Sequence, residues 1–129
     1  GLVNLADLYR ATKRDVMAGG LLRQALALSP QSSQVRVAMA LWHVRQGNLA
    51  KGIETLAEGY AMRLDAGSAY IYAVALNSAG QPEQAMTVVD DLLNADLHNL
   101  QVLQLGINLA QQTGALERLG RYQVALQGL

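Results

Sequence analysis

Apolar runs suited to helices fill this chain, and short polar breaks interrupt them at near-regular intervals. The stretch "VRQGNLAKGI" at 44–53 is one such break, and it returns in altered form as "LNSAGQPEQAM" at 76–86 and "LAQQTGALERL" at 109–119. Each break carries a glycine. Gly47 and Gly80 are 33 residues apart, Gly80 and Gly114 are 34 apart, and a step of 34 back from Gly47 reaches Lys13 in the polar segment "RATKRD". The pattern predicts helices near 2–12, 15–28, 33–46, 49–62, 67–79, 82–95, 99–112 and 115–127. Local signals agree. Pro82 falls at a helix start, where a missing N–H costs nothing. Asn48 stands where an N-cap is wanted, and Gln31, Ser32 and Ser33 can cap the helix that follows Pro30.

Composition decides the class. Apolar residues make up 51% of 129 residues, but there is no Phe, one Trp and five Tyr. The abundance of Ala, Leu, Gln and Arg favours helix over sheet. The expected fold is therefore all-α. Ten basic and ten acidic residues cancel, and no basic stripe is present to neutralise phosphates, so nucleic acid is not an expected partner. The longest apolar run, "AYIYAVAL" at 69–76, is well short of a membrane span, and membrane insertion is not expected. Zero cysteines exclude disulfides and thiolate chemistry and leave the compartment open. Gly1 opens directly onto helical sequence, as a piece of a longer protein would.

A period near 34 with two helices per unit points to a known repeat class. In the first unit Leu2, Leu5, Ala6 and Tyr9 are followed by Ala18, Leu22, Ala25 and Pro30. In the second, Met39, Ala40 and His43 are followed by Gly52, Leu56 and Gly59. In the third, Tyr72, Ala73 and Leu76 are followed by Ala85, Val89 and Leu92. On these residues the chain resembles the tetratricopeptide family over nearly its whole length. The resemblance implies a right-handed α-α superhelix, a solenoid of about four helix pairs. It would form a single domain over 1–129, with repeats at 1–32, 33–65, 66–99 and 100–129. Small residues belong where paired helices cross, so Ala6, Ala40 and Ala73 should face Ala18, Gly52 and Ala85, with Leu5, Met39 and Tyr72 filling the space beside them. Replacing Ala85 by Leu should overpack that crossing and cost about 1–3 kcal/mol. The fourth unit departs from the pattern. Leu103, Gly106 and Gly114 keep the phase, but Ile107 stands where Gly or Ala is usual, and Leu119 and Gln123 occupy the small and large apolar positions of the last helix. A terminal repeat would show this.

No constellation for catalysis is present, and no enzymatic role, cofactor or metal is expected. His43 occupies the family's aromatic core position, and His98 lies 55 residues away in the turn "DLHN". A packed role for the first and a solvated or capping role for the second outweigh ligation. Asp90 and Asp91 are adjacent, hence about 100° apart on a helix, and read best as a solvated outer face. "AGGLL" at 18–22 lacks the Lys-Ser/Thr of a phosphate loop, so Gly19 and Gly20 either allow close packing or weaken the helix. Ser68, Ser78 and Thr113 have no His and Asp companions in view.

The resemblance further implies a protein or peptide partner in a concave groove lined by the first helices. Its candidates are Val3, Asp7 and Arg10, then Gln34, Val37, Leu41, Val44 and Arg45. Tyr70, Val74, Asn77 and Ser78 follow, and then Gln101, Gln104, Asn108, Gln111 and Gln112. No lysine stands among them, so a clamp for a C-terminal carboxylate is not expected. The C-terminal amides suit an extended peptide backbone, or merely keep an exposed helix soluble. Trp42 is either an internal packing residue, the preferred reading, or an exposed anchor, and Tyr60, Tyr70 and Tyr122 are open in the same way.

Two alternatives stand beside the scaffold reading. One is self-association into a homodimer through terminal repeats, with Leu119 and Tyr122 as contacts. The other rests on the wording of "NLADLYRAT", "RQALALSPQ", "HVRQGNLAKGIETL" and "YIYAVALNSAGQPEQAM". These phrases are similar to tetratricopeptide tails of exported bacterial multihaem cytochrome-like proteins. That resemblance implies a docking arm and a periplasmic location; without it a cytoplasmic one is expected.

Overall fold

One turn makes all three glycine breaks. Gly47, Gly80 and Gly114 adopt φ of 79°, 76° and 72°, a left-handed conformation that costs a residue without Cβ nothing. In each case the next residue donates its N–H back to the carbonyl five positions earlier. The bonds are Asn48 to His43 at 2.8 Å, Gln81 to Leu76 at 2.9 Å and Ala115 to Ala110 at 2.9 Å. This closing bond satisfies an orphan carbonyl of the first helix and aims the chain into the second.

In the computed structural model, residues 2–63 and 65–129 are described, with side chains from Lys13 onward. The helices are α1 (Leu2–Leu28), α2 (Ser33–Arg45), α3 (Leu49–Ala61), α4 (Ala66–Ser78), α5 (Pro82–Ala95), α6 (Leu100–Thr113) and α7 (Leu116–Gln127), and no strand occurs among the described residues. The caps follow the sequence signals. Ser32, Asn48, Asp65 and Asn99 each accept a hydrogen bond from the backbone N–H three residues on, and Pro82 opens α5.

One expected boundary is absent. The break at Lys13, which would separate helices 2–12 and 15–28, does not form, and α1 runs unbroken for 27 residues. The reason is local. "RATKRD" has neither Gly nor Pro, and a left-handed turn at Lys13 would press its Cβ against the following carbonyl. Continuing the helix is the cheaper course.

The chain divides into two compact units, 1–64 and 65–129. In unit 1, α2 packs on both α1 and α3 around Met39, Ala40, Trp42 and Leu56. The expected crossing of Ala40 with Gly52 is present: a Cβ on Gly52 would lie 3.0 Å from the Ala40 carbonyl oxygen and from Val44 Cγ2. In unit 2 each of α4 to α7 packs on the next, and α4 also touches α6. Its core comprises Ala73, Leu76, Ala85, Met86, Val89, Leu103, Leu109, Ala110 and Tyr122, all at least 98% buried.

The α6–α7 crossing differs from expectation. Gly106, not Ile107, makes the close approach, and a Cβ there would meet Tyr122 Cε2 at 2.9 Å and Val89 Cγ1 at 3.0 Å. A large ring on α7 fills the place where a small residue was expected at Leu119, and the absent side chain at Gly106 makes room for it.

Candidate functional site

Helical phase separates a buried from an exposed face on each of the three candidate helices. On α2, Met39, Ala40 and Trp42 are buried, while Gln34, Leu41, Val44 and Arg45 are exposed and Val37 is half-buried. On α4, Ala69, Ala73 and Leu76 are buried. Val74 (39% exposed) and Ser78 are open, and Tyr70 and Asn77 are half-buried. The Oδ1 of Asn77 is sealed from solvent with no hydrogen-bond partner among the described residues. On α6, Val102, Leu103, Gly106, Leu109 and Ala110 are buried, and Gln101, Gln104, Asn108, Gln111 and Gln112 are all exposed. Because α4 touches α6, the unit 2 candidates stand on neighbouring helices. The side chains of Val3, Asp7 and Arg10 lie outside the described residues.

Tyr122, expected as a surface contact, requires correction. It is 2% exposed, and its hydroxyl donates to Asp90 Oδ1. Asp90 also accepts from Arg118 Nε at 3.0 Å, and Arg121 stands 4.0 Å away. Burial, and then the adjacent carboxylate, push the Tyr122 hydroxyl far above its ordinary pKa. Asp90 is thus no solvated outer residue: it ties α5 to α7. A phenol one turn beyond Arg118, reaching back to a carboxylate 32 residues earlier, leaves no local signal in the sequence. Leu119 is half-buried, whereas Leu116 (78%) and Val124 (69%) are the open apolar positions of α7.

Unit 1 contains polar structure that helical periodicity did not indicate. Arg36 is 6% exposed. It donates to the Pro30 carbonyl at 2.9 Å, the Thr55 carbonyl at 3.3 Å and Glu58 Oε2 at 2.9 Å, joining the α1–α2 turn to α3. Trp42 is internal, as preferred: it is 8% exposed, and its indole N–H donates to the Asp15 carbonyl at 2.6 Å. Its ring lies on Gly19, where a Cβ would fall 2.3 Å from Cζ2. Gly19 is therefore a packing glycine, while Gly20 faces open space.

The Arg23 guanidinium sits 5.5 Å from the Trp42 ring centroid, and the His43 ring meets Trp42 edge-on at 5.1 Å. Partial burial, then Lys51 and Arg23, lower the His43 pKa below its ordinary value, and Glu54 opposes them. These residues surround a cavity of about 340 Å³ lined by Val16, Arg23, Trp42, His43, Gln46, Asn48 and Lys51. Among the described residues no cluster of three His or carboxylate groups could hold a metal, and no helix is long and apolar enough to cross a membrane.

Among solved structures, MamA MSR-1 C2, a tetratricopeptide-repeat protein, superposes on this chain with a TM-score of 0.63. The match spans 91% of this chain and 70% of that one at 18% sequence identity. The chain has a tetratricopeptide-like, all-α helical-repeat fold of the solenoid class. No protein-family model matches the sequence, and no curated protein matches it either. The resemblance to multihaem cytochrome-like proteins gains no support from these comparisons. At this identity the likeness speaks for the fold alone.

Proposed function

We propose that this chain is a non-catalytic scaffold whose first helices hold an extended peptide segment of a protein partner. One observation carries the reading. The amides Gln104, Asn108 and Gln111 of α6 are all exposed over a sealed apolar face, on a helix that α4 touches with Val74 open to solvent. Amides offer donors and acceptors together and so match a peptide backbone. The apolar Val74 and half-buried Tyr70 offer area for a side chain. Displayed-peptide selection against the folded chain tests this. Selected peptides should lose at least about ten-fold in affinity, or about 1.4 kcal/mol, when Gln104, Asn108 and Gln111 are changed together to Ala. Peptides that bind the variant unchanged would place the partner on another face.

A second reading, self-association, is favoured by the open apolar positions of α7. The contact would then use Leu116 and Val124, with Leu119 beside them and Tyr122 inside the core. Sedimentation velocity over a range of concentrations separates the readings. A dimer abolished by Val124→Glu supports self-association, and a monomer at every concentration removes it.

A further inference from the structure

We propose that the cavity formed by Arg23, Trp42, His43, Asn48 and Lys51 in unit 1 is a second binding site, one that takes a carboxylate carried by an acidic peptide segment. Its components come from three helices. Arg23 lies on α1, Trp42 and His43 on α2, and Asn48 and Lys51 at the start of α3. Two cations therefore flank one cavity. Neither has a carboxylate within ion-pair distance among the described residues, although Arg36, Arg118 and Arg121 each have one. The Arg23 guanidinium is steadied on the Trp42 ring, which leaves its fork of N–H donors for a planar acceptor. Asn48 uses Oδ1 to cap α3, so the groups it has left to offer are amide donors. The amino-terminal end of α3 adds a partial positive charge in the same place.

The surroundings select the carrier. At about 340 Å³ the cavity exceeds the needs of a lone ion and accommodates a side chain with some of its backbone. The exposed Val16 and the edge of Trp42 supply apolar wall for its methylene groups. Burial first, and then Lys51 and Arg23, lower the His43 pKa against the opposing Glu54, so both cations act within the cavity at a ring that an entering carboxylate would also meet. None of its residues belongs to α4 or α6, and the proposal does not depend on the reading given to those faces.

Trp42 is the single tryptophan of the chain, so its fluorescence reports on this cavity without a label. The experiment titrates the folded chain with an acetylated hexaglutamate peptide, and in parallel with hexaglutamine and with inorganic phosphate, at low and high salt. A saturable change with hexaglutamate, weakened by salt and absent with hexaglutamine, is expected. Lys51→Gln should weaken it at least about five-fold, as loss of a charge-assisted hydrogen bond does. Arg14→Gln, an exposed cation outside the cavity, should leave it within about two-fold. Arg23→Gln should weaken binding as Lys51→Gln does. Should Arg23→Gln unfold the α1–α2 contact, Lys51→Gln still decides, because Lys51 is an exposed side chain. No saturable response to hexaglutamate, a response to phosphate alone, or equal weakening by Arg14→Gln would each overturn the proposal.

Discussion

In unit 2 the buried helix contacts are mostly small and branched apolar residues: Ala73, Ala85, Val89, Leu103 and Ala110 are all fully buried, and one buried ring, Tyr122, is admitted by Gly106. Unit 1 repeats one such crossing, Ala40 with Gly52, and buries Met39 and Leu56, but two of its contacts are of another kind. An indole lies against Gly19, and a nearly buried guanidinium binds two carbonyls and a carboxylate. In unit 1 long side chains both fill space and satisfy backbone carbonyls: Arg36 reaches those of Pro30 and Thr55, and Trp42 that of Asp15. One repeat pattern thus supports two kinds of cohesion.

That contrast can be broken by substitution. The largest loss is expected from Leu103→Ala in unit 2, where a fully buried side chain leaves a cavity in the core. A loss of about 2–5 kcal/mol should appear as a lowered urea midpoint in helical circular dichroism. The next largest falls in unit 1. Gly19→Ala sets a Cβ into the Trp42 ring, which must move, at a cost of about 1–3 kcal/mol. Trp42 fluorescence should shift in the folded state. A Gly19→Ala protein with native stability and emission would show that the indole does not rest on α1.

Tyr122→Phe should have a smaller effect, about 1–2 kcal/mol, because Asp90 keeps Arg118. It also carries a pH signature. The folded-state pKa of Tyr122 is raised, so its contribution is complete below the ordinary tyrosine value near 10 and is lost as pH rises above it. Thermal melts above that value should fall steeply for the native chain and less steeply for Tyr122→Phe. Parallel alkaline limbs would mean that the hydroxyl is already exposed.

Most helices, the three glycine joints and the Ala40–Gly52 crossing were legible because each depends on neighbours in sequence, whereas Ala6 and Ala18, expected to face each other across a crossing, stand on the single helix α1. Glycine at a left-handed turn, Asn48 at a cap and Ala40 opposite Gly52 are all readable at fixed spacing. Lys13 shows the limit of periodicity. The period placed a break there, but the residue could not make the turn, and local chemistry prevailed. Contacts across helices were legible only in part. Trp42 was read correctly as internal from its place in the repeat. Arg36 with Glu58, and Tyr122 with Asp90, join residues 22 and 32 apart through polar groups that follow no apolar rhythm. The candidate face on α6 was named from the repeat resemblance together with helical phase, but the cationic cavity of unit 1 was not. Arg23, His43 and Lys51 converge only when three helices pack.

The smallest effects expected are also the most local, and they probe unit 1 on either side of Trp42. Gly20 adjoins Gly19 but faces open space, so Gly20→Ala should raise stability by about 0.5–1 kcal/mol through helix propensity alone. The two neighbouring glycines should therefore respond with opposite sign. His43 adds a shallow dependence at acid pH. Its folded-state pKa lies below the ordinary 6.5, so the folded chain binds a proton less readily than the unfolded one. Stability is then complete above 6.5 and declines as pH falls through the lowered value. The lowering itself comes from burial together with Arg23 on α1 and Lys51 on α3, against Glu54. Removing a cation should relax it, and Lys51→Gln should move the His43 titration, followed by NMR, back toward 6.5. An unmoved titration would mean that burial alone sets the value and that the field in the cavity is weaker than its two cations suggest.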